Sequence, residues 1–213
     1  MNPCNKTYSP SYGRYSIQAN ERFACHEEIL ARLLRLFDYM TANHNKVFFM
    51  RFDVRFPAGI EFPGDNARFE RFIASLSRNL KRKGLDPHYL WCYERSREKH
   101  QHYHVVLLLN GSLTQSIKDH IELAASLWSR ALQLPEVNRG LICDCTKSRT
   151  GESQQNGIMI RRNSPDFSES FCKAFEWASY LAKCNTKGYA PDGVREFGSS
   201  TTGSFLNELD FVN

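Results

Sequence analysis

Three histidines alternate in the stretch EKHQHYHVVLLLN, at His100, His102 and His104. In a strand, side chains alternate faces with a period of two, so all three share one side with Val106, Leu108 and Asn110. The preceding apolar segment, HYLWCYER (His88 to Arg95), carries Glu94 near its end, and the short polar loop SREKHQ makes the two segments a hairpin. That hairpin brings the Glu94 carboxylate toward the end of its partner that holds His102 and His104. Two imidazoles and a carboxylate with an open position suit a catalytic divalent ion such as Mn²⁺ or Mg²⁺, and Zn²⁺ less well without thiolates. His100 reads as a phosphate contact or a loop residue rather than a ligand. Taken alone, Glu94 would be a surface partner of Arg95 or Arg97; the histidines give it a second reading.

A second group lies in SFCKAFEWASYLAKCNTK. On a helix, Phe171, Phe175, Ala178 and Ala182 form one apolar stripe, and Tyr180 falls close to the opposite side, with Lys173, Glu176, Lys183 and Lys187. A phenol with a pKa near ~10 is a weak nucleophile, but neighbouring ammonium groups and a metal-polarised electrophile lower the barrier to a phenolate. This combination suits attack on a phosphodiester: Tyr180 displaces the 3′ oxygen in line, leaving a 5′-phosphotyrosine and a free 3′-OH. The linkage keeps the phosphodiester's free energy, so the step reverses and one site can both nick and rejoin. Without the histidine strand, the same tyrosine is an exposed residue on a lysine-rich helix.

The elements that must position these groups are legible from periodicity. EEILARLLRLFDYM predicts a helix from about Cys25 to Ala42, and DNARFERFIASLSRNLKRKG a second, capped at Asp65 or Asn66 and stopped at Gly84. Between them KVFFMRFDVRFP alternates, with Phe48, Met50, Phe52, Val54 and Phe56 on one face and Phe49, Arg51, Asp53 and Arg55 on the other. Arg51, Asp53 and Arg55 therefore share a face, although alternation does not say which. After the histidine hairpin come a helix from about Thr114 to Leu134, strands at Gly140 to Cys145 and Gly157 to Arg161 around a polar loop, and a helix from about Ser168 to Lys183. Short loops between neighbouring strands require antiparallel pairing, so the class is α+β: a mainly antiparallel central sheet of about five strands with packed helices. Residues 1–22 read as an irregular arm, 23–200 as one domain and 201–213 as a tail.

Composition bounds the rest. The 213 residues carry a formal charge of +5 and seven scattered cysteines without C-x-x-C spacing, so Cys143-Asp-Cys145, the one close pair, reads as buried strand cysteines in preference to metal ligands. No run of 18 apolar residues and no secretory leader pattern occurs, which makes a soluble cytoplasmic protein the default expectation and a membrane partner an unexpected one. The cations of RNLKRKG, Arg161-Arg162, Lys183 and Lys187 fit a phosphate-bearing partner, although those ending a helix also answer its macrodipole.

Together these residues resemble the HUH endonucleases. His102-Tyr103-His104 is similar to their His-hydrophobic-His motif, Glu94 to the acidic ligand on the preceding strand, and Tyr180-Leu-Ala-Lys183 to the Tyr-x-x-Lys helix. More narrowly, RFDVRFP, YLWCYERS, HYHVVLLLN, YLAKCNTK and REFGSS occur in the order seen in replication initiators of filamentous phages (inoviruses) and their prophage relatives of the YagK/YfjJ type. The resemblance implies an RNA-recognition-like sheet with the histidines on a central strand and the tyrosine helix packed over it. It implies a rolling-circle replication initiator: an endonuclease and strand transferase acting on single-stranded or supercoiled origin DNA with Mg²⁺ or Mn²⁺, served by a host helicase and polymerase. Tyr180 and Lys183 would be catalytic, His102, His104 and Glu94 metal ligands, Arg51, Arg55, Lys187 and His100 DNA contacts, and Asp53 an accessory to the metal. The alternatives are a catalytically inactive nucleic-acid-binding regulator of the same fold, or a relaxase or transposase using the same chemistry.

Overall fold

The apolar run Val105–Leu109 lies on the central strand of a sheet. The computed structural model describes residues 5–57, 59, 64–95, 101–148, 150–188 and 190–202; His100, Cys4, most of the SREKHQ loop and residues 203–213 lie outside them. In chain order the elements are α1 (Glu27–Asn43), β1 (Lys46–Arg55), α2 (Ala67–Arg82), β2 (His88–Arg95), β3 (Gln101–Asn110), α3 (Ile117–Ala131), β4 (Ile142–Cys143), β5 (Ile158–Arg161), α4 (Phe167–Ser179) and β6 (Phe197–Ser199). The sheet runs β6-β2-β3-β1, with β4 and β5 both paired to the far edge of β1, and every pairing is antiparallel.

Both faces of this sheet are covered, so β1 is buried over all but its end residues. Phe48, Met50, Phe52 and Val54 pack with Tyr103, Val105 and Leu107 against α2 and α3. Val47 and Phe49 join Leu90, Cys92, Val106 and Leu108 under α1 and α4. The aromatic content of the first core is arranged by stacking, with Phe69 lying on Tyr103 at a ring separation of 3.8 Å and 10° between planes. At the end of α2, Gly84 adopts φ +72°, the left-handed turn expected of a helix stop. No helix among the described residues is long and apolar enough to cross a membrane.

The α+β class and the antiparallel sheet are as expected from the pattern, and the differences are local. The sheet has six strands; the additional one, Phe197–Ser199, is held by pairing to Leu90–Cys92 rather than by any pattern of its own. Asn66 does not cap α2 with its side chain, which bonds instead to the Arg195 carbonyl and the Tyr103 hydroxyl. The strand expected over Gly140 to Cys145 shrinks to Ile142–Cys143. The last helix stops at Ser179, and Tyr180–Ala182 and Cys184–Thr186 continue as single 3₁₀ turns. The N-terminal arm is not irregular throughout: Lys6–Thr7 pairs with Cys25–His26 and Ser11–Tyr12 with Tyr15–Ser16, and Ile17 and Ala19 are buried in the core.

Candidate metal and phosphodiester site

Strand register builds the site. In the β2·β3 pairing Glu94 lies opposite His102, and in the β1·β3 pairing Asp53 lies opposite His104. All four face the α1/α4 side, as does Arg51. The Nε2 atoms of His102 and His104 stand 3.1 Å apart. Glu94 Oε2 lies 2.9 Å from the second and 3.5 Å from the first. A triangle with these edges matches the ~3.0 Å separation of adjacent ligands on an octahedral ion or the ~3.4 Å of a tetrahedral one, at ligand bonds of about 2.1 Å. The residues thus fit a divalent ion.

His104 is oriented from behind. Its Nδ1 is 2.5 Å from Asp53 Oδ1, and a carboxylate holding the Nδ1 proton leaves Nε2 free as a ligand. Burial alone would raise the Asp53 pKa, but the charge and hydrogen bond of His104, followed by Arg51 and His102, bring it down to about 2. Burial works against Glu94 ionisation too, and hydrogen bonds from His102 and His104, with the charges of His104 and Lys187, hold its pKa far below the usual range. For His104 burial favours the neutral ring, but Asp53 and Glu94 prevail and raise its pKa. The cluster is a preformed set of anions around an imidazole.

Tyr180 closes the site from the end of α4. Its ring meets His104 edge-on at 5.2 Å, and a cavity of about 100 Å³ is lined by Glu94, Tyr180, Lys183, Phe23 and Asn185. Lys183 Nζ lies 4.6 Å from the Tyr180 ring centre and the Arg51 guanidinium 4.1 Å from it. Arg51 Nε and Nη1 are buried without a hydrogen bond. The 3₁₀ turn is seated by the N-terminal segment: Gln18 N–H donates to Ser179 Oγ, Cys25 bridges to Lys183, and Cys184 N–H donates to the Ala24 carbonyl.

Two electrostatic expectations change here. The Tyr180 pKa is raised, not lowered: burial comes first, Glu94, Asp53 and Cys145 add to it, and Arg51 opposes them. Lys187 does not share a helical face with Tyr180, because the helix has ended; its ammonium is buried 3.6 Å from Glu94 Oε1. Arg55 is exposed at the end of β1, opposite His102. His100 lies outside the described residues. Sequence reasoning did not bring Cys143 and Cys145 to this neighbourhood, yet Cys143 is the register partner of Asp53.

The family pattern of the YagK/YfjJ C-terminal domain matches residues 11–200. The chain belongs to that family. Every residue of the cluster falls inside the matched span, and so do the N-terminal segment that seats Tyr180 and the edge strand β6. No curated protein matches the sequence. Among solved structures, the N-terminal nuclease domain of non-structural protein-1 from minute virus of mice overlays with a TM-score of 0.32 at 14% identity, covering 88% of this chain and 77% of that one. That domain is described as coordinating Zn²⁺ in its active-site pocket and recognising DNA at the origin of replication.

Proposed function

We propose that this protein is a metal-dependent endonuclease and strand transferase that initiates rolling-circle replication, nicking origin DNA through Tyr180 and rejoining it by the reverse step. The observation that carries this reading is the convergence of Glu94, His102 and His104 on one point beside Tyr180, with Asp53 holding His104 from behind. Glu94, His102 and His104 would hold Mg²⁺ or Mn²⁺. When bound, the cation supplies Lewis-acid stabilisation of charge on the phosphate oxygens.

The chain's own groups do the rest. In the free protein the phenol stays protonated, because burial and the carboxylates around it oppose the phenolate. Arg51, stacked on the ring with two donors unpaired, is placed to receive a phosphate and to favour loss of the phenol proton as the nucleophile engages. Tyr180 Oη forms the new bond to phosphorus, the bond to the 3′ oxygen breaks, and the leaving oxygen takes up a proton. Lys183 lies over the same ring and steadies the resulting phosphotyrosine, while His100 and exposed Arg55 serve flanking phosphates. In the free protein Lys187 holds Glu94. A host helicase and polymerase would extend the 3′-OH.

The test is incubation of the purified chain with single-stranded and supercoiled origin DNA and Mn²⁺, followed by detection of a covalent protein–DNA adduct. The adduct should vanish with chelator and in Tyr180→Phe. An adduct that persists in Tyr180→Phe removes the nucleophile assignment, and cleavage indifferent to chelation removes the metal site.

A further inference from the structure

The structure assigns a second metal site to Asp53, Cys143 and Cys145, a site for a thiophilic divalent ion of the zinc class. It does not depend on the nuclease reading. One carboxylate oxygen and the two sulfurs all lie within 4.8 Å of one another, within reach by side-chain adjustment of the roughly 3.5–3.8 Å expected of such ligands around tetrahedral zinc. Antiparallel register sets Cys143 beside Asp53. The chain then leaves the strand, and Cys145 takes φ +52°, a left-handed conformation that non-glycine residues rarely adopt.

That turn is fastened on both sides. Asn156 accepts from Arg51 N–H through Oδ1 and donates through Nδ2 to the carbonyls of Arg51 and Asp144, tying the Cys-Asp-Cys turn to β1. Asp144 does not join the cluster; its carboxylate accepts from the Thr146 N–H and hydroxyl. The turn therefore keeps both sulfurs near Asp53, with the Cys145 thiol donating to the Cys143 carbonyl, and turns the intervening acid away.

Charge and softness decide the ligand. Two thiolates and a carboxylate select zinc-class ions over Mg²⁺, Mn²⁺ or Ca²⁺. With a divalent ion this set keeps one negative charge, and Arg51 supplies the balancing positive one: its Nε is 4.0 Å from Asp53 Oδ1 and it is buried with Nε and Nη1 unpaired. Asp53 is then shared, since Oδ1 also takes the His104 Nδ1 proton. The thiolate ion and the histidine cluster would be linked through a single carboxylate.

The test is titration of Co²⁺ into the reduced, metal-free full chain. We expect thiolate-to-cobalt charge-transfer absorption in the near ultraviolet that is lost in Cys143→Ser/Cys145→Ser and kept in His102→Ala/His104→Ala. Absence of the band in the unmodified chain, or its survival in the double serine variant, overturns the assignment. A substitution in a left-handed turn can unfold the segment, so a second measurement uses the unmodified chain: iodoacetamide labelling mapped by mass spectrometry. Zinc should protect Cys143, the half-buried thiol of the pair, and chelation should release it; equal labelling of Cys143 with and without zinc overturns the site.

Discussion

Replacing Asp53 with Asn leaves an oxygen to accept the His104 Nδ1 proton but removes the charge behind it. The Asp53 pKa is held at about 2 against an ordinary 3.8, despite burial that alone would raise it. At ~1.4 kcal/mol per unit, the ionised carboxylate is worth about 2 kcal/mol to the folded state. A depressed carboxylate contributes stability that is full above its unfolded pKa and lost as pH falls through its folded pKa. The raised pKa of His104 describes the same contact from the other side: its share is present below the ordinary histidine value and lost as pH rises through the folded one. The two are one interaction and are not summed. In chelator, urea unfolding at about pH 6 should place Asp53→Asn about 2 kcal/mol below the unmodified protein, with the gap closing toward pH ~2. Mn²⁺ affinity should fall about 10–100-fold, the usual cost of removing the carboxylate behind a ligating histidine. A gap that is constant across pH, or absent, would refute the claim that Asp53 acts through the charge of His104.

Four further outcomes are expected. Lys187→Met should tighten Mn²⁺ binding several-fold by removing the ammonium paired with Glu94, measured by calorimetry; weaker binding would mean that Lys187 orients the carboxylate instead. Gly198→Ala should cost about 1–3 kcal/mol, because the added carbon would meet the Trp91 indole at 2.8–2.9 Å; unchanged thermal unfolding would show that the edge strand gives way freely. Phe175→Ala should cost about 3–5 kcal/mol, since Phe175 is fully buried against Tyr15 and Phe37. In metal-free protein, the Cys143 thiol is brought down to about 6, chiefly by a hydrogen bond from Cys145. Alkylation of Cys143 should therefore rise through about pH 6, and move to ~8.5 in Cys145→Ala.

What the sequence revealed follows from which contacts are local. The histidine hairpin was readable because Glu94 and His102 sit on consecutive strands whose short connection fixes their pairing. The stripes of α1, α2 and α3 were readable because one apolar face per helix meets one sheet. Lys187 was misplaced because a helical projection was carried past Ser179, where the Cys25 bridge to Lys183 unwinds the chain. Arg51 could be assigned a face but not a partner, since Tyr180 reaches it only by tertiary packing. Cys143 looked like a buried strand cysteine because nothing near it in sequence announces β1 as its neighbour. Strand β6 is too short for alternation and exists through its pairing with β2.

The seating of Tyr180 has a consequence for the order in which the site is made. Its ligands come from the strands ending at Asn110, its tyrosine from beyond α4, and the segment that holds the tyrosine's turn from Gln18 to Cys25. At about 5–20 residues per second, synthesis runs from His104 to Tyr180 in roughly 4–15 s. The early segment must wait through that interval for the late one, and joining them closes one of the longest loops in the chain. A nascent polypeptide thus acquires its histidine–carboxylate cluster first and the tyrosine beside it later, so the assembled site waits on a loop that closes only after Tyr180 has been made.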